Sequence, residues 1–238
     1  MSSRFAALED VIRDPLFPDV DLALRRGRHI DREDGDSYAF LSDAQTHLEP
    51  LYRRFGCELV MQSDGYFYLL PSGDHLSRRH LSPGEMLVGQ TLALQSLDPT
   101  TVQTGGVVTR DQLLARLGSL VSDRDLARAL EPRRKRFDDE RKVHEIIRNR
   151  VAQAIRQLAA LGFIDLVDQD HLRLRAPLFR FADPVRTRQD LNAALERLIA
   201  SGHAVDMQGE EFTGDDDEPS ESADIDAGDD ADEDEDDA

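Results

Sequence analysis

The chain of 238 residues is long enough for one large or two small globular domains, and its single cysteine, Cys57, excludes an internal disulfide. The formal net charge is −19, but residues 209–238 hold 17 of the 48 acidic residues and none of the 29 Lys and Arg, which leaves 31 acids against 29 bases elsewhere. The body is therefore nearly neutral, the acidity belongs to a tail, and the overall charge does not argue against contact with DNA.

Helices dominate the first part of the chain. Apolar residues at helical spacing predict a first helix that stops at Asp14-Pro15 and a second that begins at Phe17-Pro18. A third helix, capped by Asp36 or Ser37, is expected to be kinked or divided at Pro50.

A hairpin follows these helices. Strands are predicted over 57–61 and 66–70, because apolar and polar residues alternate on both sides of Asp64-Gly65, a strong hairpin signal. Cys57 lies in the first strand, where it is expected to be a small core residue. Helices followed by a hairpin predict a winged-helix domain over residues 1–72, with a linker over 73–81.

The second half repeats this pattern. Ser82-Pro83-Gly84-Glu85 combines an N-cap serine, a proline in the first turn and a capping-box glutamate. A short strand at Val107-Val108 precedes a second capping box, Thr109 to Gln112. These elements form the front half of a second winged helix, and residues 118–140 are predicted to be an insertion with a short helix that begins at Ser122.

A long helix and a second hairpin complete this domain. Apolar residues recur every three or four positions along one face of the helix, at Val143, Ile147, Val151, Ile155 and Leu158. After Leu161-Gly162-Phe163, strands are predicted over 163–167 and 172–175, around Asp168-Gln169-Asp170. We therefore predict a mostly α fold with small β-hairpin wings (α+β), in which two winged-helix domains, 1–72 and 82–182, stand in tandem.

Two further segments follow the second domain. Asp183-Pro184 is a cap-plus-proline start for an amphipathic C-terminal helix over 183–202. Residues 209–238 are almost all Asp, Glu, Ser, Gly and Ala, with too little apolar surface to offset ordering entropy, so this tail is expected to be disordered.

No catalytic or cofactor constellation is present in the sequence. The histidines are scattered, the only close pair being His75 and His80, and no glycine-rich phosphate loop occurs. We therefore expect no enzyme activity, no metal and no cofactor. No stretch approaches the roughly 20 apolar residues that a membrane span needs, so a soluble, cytoplasmic protein is expected.

Basic residues are concentrated on the long helix and just before it. The candidate DNA-binding residues are Arg133, Arg134, Lys135, Arg136, Arg141, Lys142, Arg148, Arg150 and Arg156. Lys142, Asn149 and Gln153 fall away from the apolar face, where a helix could contact phosphates. A solvated face with local ion pairs, such as Arg141 with Glu145, is the alternative.

The second strand of the last hairpin adds two more arginines. Arg173, also a candidate DNA-binding residue, and Arg175 could contact a backbone phosphate, or could be ordinary exposed strand residues. Sequence-specific reading of DNA is not expected, because arginine and lysine mostly contact phosphates.

Five short motifs, in order over residues 14–181, resemble the MukE family, the small accessory subunit of the MukBEF bacterial condensin. The motifs are Asp14-Pro15-Leu16-Phe17-Pro18, Gly27-Arg28-His29-Ile30, Ala39-Phe40-Leu41, Gly65-Tyr66-Phe67-Tyr68-Leu69 and Phe179-Arg180-Phe181. The resemblance implies a non-catalytic, kleisin-interacting tandem winged-helix protein. It also implies a homodimer that binds the kleisin MukF, and through it the ATPase MukB, in a complex that acts on DNA in chromosome condensation and partition at the nucleoid.

An alternative class of function is open at this point. A free-standing winged-helix transcriptional regulator would use the long helix to bind one specific DNA site. The two classes differ in partner and in DNA preference: a condensin subunit needs a kleisin and binds DNA without sequence preference.

Overall fold

The computed structural model describes residues 4–72, 75–76, 80–131 and 140–186. Several predictions concern residues outside these ranges: the basic run Arg133, Arg134, Lys135 and Arg136, most of the linker, the C-terminal helix beyond 186, and the acidic tail. Within the described residues the fold is mixed α/β, with nine helices and two small three-stranded antiparallel sheets. Among the helices described, none combines the length and the apolar composition that a membrane crossing requires.

The first unit contains three helices and one sheet. Its elements are α1 (Leu8–Arg13), α2 (Phe17–Arg25), β1 (Ile30–Asp31), a 3-10 turn (Arg32–Asp34), α3 (Asp36–Arg54), β2 (Cys57–Gln62) and β3 (Tyr66–Pro71). The strands lie in the order β1-β3-β2, with Ile30 opposite Phe67 and Leu59 opposite Leu69. The turn between β2 and β3 needs Gly65, whose φ is 86°.

A buried apolar core holds this unit together. Phe40, Leu48 and Tyr52 on α3 are fully buried and pack with residues from α2 and the sheet. Cys57 is buried in the same core, and burial raises the pKa of its thiol, as expected for a packing residue.

Two details of α3 differ from the prediction. The helix is continuous through Pro50 and is not divided there. Its N-cap is Gly35, and neither Asp36 nor Ser37 has that role. The cause lies in the preceding 3-10 turn: it ends at Gly35, whose φ of 51° lets the chain reverse directly into the helix.

The second unit contains six helices and the second sheet. Its elements are α4 (Pro83–Ser96), α5 (Pro99–Gln103), β4 (Val107–Thr109), α6 (Arg110–Leu120), α7 (Asp123–Leu130), α8 (Glu140–Ala160), β5 (Ile164–Leu166), β6 (His171–Leu174), a 3-10 turn (Ala176–Leu178) and α9 (Phe179–Arg186). The strand order β4-β6-β5 repeats that of the first sheet.

Local signals set the helix starts of this unit. The capping boxes of Ser82 with Glu85 and of Thr109 with Gln112 are both present, and Ser122 caps α7, as predicted. The short helix α5, which Asp98 caps, was not predicted. Helix α7 is more than a surface addition, because Leu126, Ala127 and Leu130 are buried in the core beside α4 and α8.

The start of the last helix that the structure describes was predicted wrongly. Helix α9 begins at Phe179, so Asp183 and Pro184 lie within it and do not begin it. Packing explains the earlier start: Phe181 is buried against α4 at Gly89, where a Cβ would come within 2.6 Å of the Phe181 ring. The glycine thus allows α9 to approach α4 closely.

Candidate functional site

Helix α8 presents a polar, basic face opposite its buried stripe. Val143, Ile147, Val151, Ile155 and Leu158 are buried, as the apolar periodicity predicts. The residues exposed to solvent include four bases, two amides and two acids: Arg141, Lys142, Arg148, Arg156, Asn149, Gln153, Glu140 and Glu145. Guanidinium and ammonium groups on one exposed helix face can contact successive phosphates.

One predicted base of α8 is turned toward the protein. Arg150 is half-buried, and its guanidinium donates to Glu131 at 2.9 Å and to Gln153 at 3.0 Å. This arginine ties the end of α7 to α8. Its charge is balanced by Glu131, so it adds less to the basic face than the exposed bases do.

The hairpin β5–β6 differs in charge from α8. Asp168 at its tip accepts hydrogen bonds from the backbone N–H groups of Asp170 and His171, both at 2.8 Å, and these lower the pKa of the carboxyl group. The tip therefore carries negative charge at neutral pH. Arg173 on β6 is half-exposed and lies 3.9 Å from Glu33 of the first unit. These acids favour α8 over the wing tip as a phosphate-facing surface.

Arg175 has neither of the roles expected from the sequence. Its side chain is 1% exposed and forms ion pairs with Asp31 and Asp34, more than 140 residues earlier in the chain. It also donates to Asp165 at 3.3 Å. Although burial opposes its charge, the hydrogen bonds to the two aspartates raise the pKa of Arg175 above its ordinary value. Arg175 therefore belongs to a junction between the two units.

His29 is the second buried polar group at this junction. Its backbone N–H donates to the carbonyl of Leu161 at 2.8 Å, and its Nδ1 lies 3.0 Å from the same oxygen. Its Nε2 lies 2.6 Å from a guanidinium nitrogen of Arg180, which can only donate. This geometry requires a neutral ring with the proton on Nδ1. Burial, and then the charge of Arg180, lower the pKa of His29 to about 3.

Aromatic rings enclose this histidine. The His29 ring centroid lies 4.4 Å from that of Phe163 and 5.4 Å from that of Tyr68, and the Arg180 guanidinium lies 3.9 Å from the Tyr68 centroid. Gly162, with φ 78°, lies so close that a Cβ there would come within 2.4 Å of the His29 carbonyl oxygen. The two units are therefore in close backbone contact.

Sequence reasoning missed this junction, although its residues had already been singled out. His29, Tyr66, Tyr68 and Arg180 all belong to the motifs that carry the family resemblance. The three motifs that contain these residues lie far apart in the chain, and the four side chains meet at one place in the fold. Within the described residues, no group of three or more His, Cys, Asp or Glu is arranged to hold a metal ion.

Comparison with known proteins agrees with the motif pattern. The model of the MukE-like family matches residues 3–238. The chain belongs to the MukE-like family. A chromosome partition protein MukE from Haemophilus ducreyi is 36% identical over 205 residues, covering 84% of each chain. The MukE protein of Vibrio vulnificus is 36% identical over 201 residues, or 83% of this chain and 85% of its own. That of Shigella flexneri is 34% identical over 205 residues, or 84% and 89%.

Proposed function

We propose that this MukE-like chain is a non-catalytic accessory subunit of an SMC–kleisin condensin of the MukBEF type, acting in chromosome condensation, organisation and partition. The observation that carries the proposal is family membership over nearly the whole chain, together with relatives named chromosome partition protein MukE. In this proposal the chain is cytoplasmic and associated with the nucleoid.

The proposal includes the architecture of the two units. Each has helices, a short strand and a hairpin, and in each sheet the last strand lies between the other two. This arrangement supports two tandem winged-helix domains, 1–72 and 82–182, with residues 118–140 inserted in the second. Winged-helix domains serve both protein partners and DNA, so the architecture is compatible with a kleisin-binding role.

The proposed partners are the kleisin MukF, a second copy of this chain and, through the complex, the ATPase MukB. Co-expression with MukF from the same organism is expected to give a complex that survives size exclusion. The chain alone is expected to sediment at twice its 26.8 kDa mass. A chain that elutes apart from MukF after co-expression would contradict the kleisin role, and a monomer at micromolar concentration would contradict the dimer.

The proposed DNA contact is weak and independent of sequence. It rests on the four exposed Arg and Lys residues of α8 and on the basic run 133–136 in the sequence. Each phosphate contact contributes roughly 0.9 to the slope of log K against log salt concentration. A double substitution, Arg148→Gln with Arg156→Gln, should therefore flatten the slope by about two units if both side chains contact phosphates.

A matched control separates this effect from a general change of charge. Arg53→Gln with Arg54→Gln removes the same charge from exposed positions at the end of α3 in the first unit. Fluorescence anisotropy with labelled duplex DNA at several salt concentrations should show a reduced slope for the α8 variant only. Equal reductions in both variants would mean that only net charge matters and that α8 is not the DNA-facing helix.

The alternative, a free-standing transcriptional regulator, receives no support from the relatives, which carry a chromosome partition name. Nanomolar affinity for one DNA sequence, with much weaker binding to random DNA at physiological salt, would support the regulator instead.

A further inference from the structure

We propose that residues 28–34 of the first unit form an interdomain latch that holds the β5–β6 hairpin of the second unit at both of its ends. The two units then keep one fixed relative orientation. This proposal rests on the junction geometry alone and does not depend on kleisin or DNA binding.

The first end of the hairpin is held by backbone and histidine contacts. The carbonyl of Leu161, three residues before β5, accepts from both the N–H and the Nδ1 of His29. Gly162 follows with its Cα packed against the His29 carbonyl, at a distance that only glycine permits. The approach to β5 is therefore fixed to the segment between α2 and β1.

The second end is held by charge. Arg175, immediately after β6, forms buried ion pairs with Asp31 and Asp34, and Arg28 adds a contact to Asp34 at 3.2 Å. The backbone N–H of Arg175 also donates to the carbonyl of Phe163 at 3.2 Å, which closes the base of the hairpin. Both ends of the hairpin therefore contact one short segment of the first unit.

Hydrogen bonds within residues 28–34 orient the two carboxylates that Arg175 contacts. Asp31 accepts from the backbone N–H of Glu33 at 2.9 Å, and Asp34 accepts from the backbone N–H of Asp31 at 3.0 Å. The two carboxylates are thus oriented by the 3-10 turn before Arg175 reaches them. Although partial burial opposes its charge, the hydrogen bond from Arg175 lowers the pKa of Asp34, so the pair stays charged at neutral pH.

The charged groups of the latch depend on one another. Removing Arg175 alone leaves the buried Asp31 without its counter-charge and leaves Asp34 with the partly exposed Arg28, which favours separation of the units so that water can reach the carboxylates. Replacing Arg175, Asp31 and Asp34 by neutral residues avoids the unpaired buried charge and also removes the ion pairs that hold the second end of the hairpin. Comparison of the single and triple variants therefore distinguishes destabilisation by an unpaired buried charge from release of the latch.

The experiment measures the distance between the units. In the full chain with Cys57→Ser, spin labels are attached at Thr46→Cys on α3 and Asn149→Cys on α8, both exposed positions, and the labelled chain is diluted with unlabelled chain. Double electron–electron resonance then reports the distribution of distances. The unaltered latch should give one narrow distribution. Arg175→Met, and the triple variant Arg175→Met with Asp31→Asn and Asp34→Asn, should each broaden it at least about twofold.

Two further measurements keep the result unambiguous. Arg116→Met, which removes an exposed arginine from α6 on the second unit, is the control and should leave the distribution narrow. If Arg175→Met does not fold, as circular dichroism would show, the triple variant decides the question because it carries no uncompensated buried charge. A narrow, unchanged distribution in a folded triple variant would overturn the latch.

Discussion

Protonation of His29 is expected to destabilise the junction as the pH falls. The unfolded chain binds this proton with an ordinary pKa near 6.5, whereas the folded protein resists it down to about pH 3. Below the unfolded pKa, the unfolded state therefore holds one more proton than the folded state, and the free energy of unfolding decreases by about 1.4 kcal/mol per pH unit. Between about pH 7 and pH 4.5 this one group should cost roughly 2–3 kcal/mol.

The assay compares the protein with His29→Gln. Glutamine can donate to Leu161 and accept from Arg180 but cannot take up the proton, so it removes the pH dependence while keeping both kinds of hydrogen bond. The free energy of unfolding is measured by urea titration at several pH values. The lowered pKa of Asp34 becomes important only below its ordinary value of 3.8, so measurements above about pH 4.5 avoid that group.

We expect the stability advantage of the unaltered protein over His29→Gln to shrink as the pH falls from about 6.5 to 4.5. All other titrating groups are common to the two proteins and cancel in the difference. Parallel curves over this range would refute the reasoning. They would mean that His29 takes up a proton in the folded state at its ordinary pKa, so that Arg180 does not hold it neutral.

Three other predictions follow from local geometry and charge. Gly162→Ala should lower the free energy of unfolding by about 1–3 kcal/mol because of the positive φ at this position, and by more because its Cβ would clash with His29. The control, Gly118→Ala, lies in an open position on α6 and should leave the free energy of unfolding unchanged or raise it. Urea titration measures both variants. Ser82→Ala removes one bond of a capping box and should cost about 1 kcal/mol by the same assay, and a change near zero would show that the cap is not used. Truncation after Gly209 removes 17 acids and no base, so it should tighten DNA binding at low salt, where negative charge repels DNA most strongly, and have little effect at high salt. If the truncated and full chains bind DNA equally at low salt, the tail has no electrostatic role in DNA binding.

Local sequence signals predicted the elements well because their causes are local. The capping boxes at Ser82 and Thr109, the cap at Ser122 and the turn at Gly65 each depend on residues within a few positions of one another. The buried stripe of α8 follows from helical periodicity in the same way. Nothing distant in the chain had to be known for these predictions.

The errors arose where distant residues decide the outcome. The start of α9 depends on the fit of Phe181 against Gly89, and packing at this site takes precedence over the cap signal at Asp183-Pro184. Strand alternation placed Arg175 on the same side as the exposed Arg173, but β6 ends at Leu174 and the chain turns inward. The aspartates that hold Arg175 lie in another unit, which no periodicity within the strand can reveal.

The junction also limits how this protein can be divided for experiments. A fragment of residues 1–72 would contain Asp31 and Asp34 but lack Arg175, and it would uncover the ring of Tyr68, over which the Arg180 guanidinium of the second unit lies. A fragment that begins at residue 82 would carry Arg175 without Asp31 and Asp34. Loss of partner binding by either fragment would therefore reflect a damaged surface as much as a missing binding site, and mapping is better done with point substitutions in the intact chain.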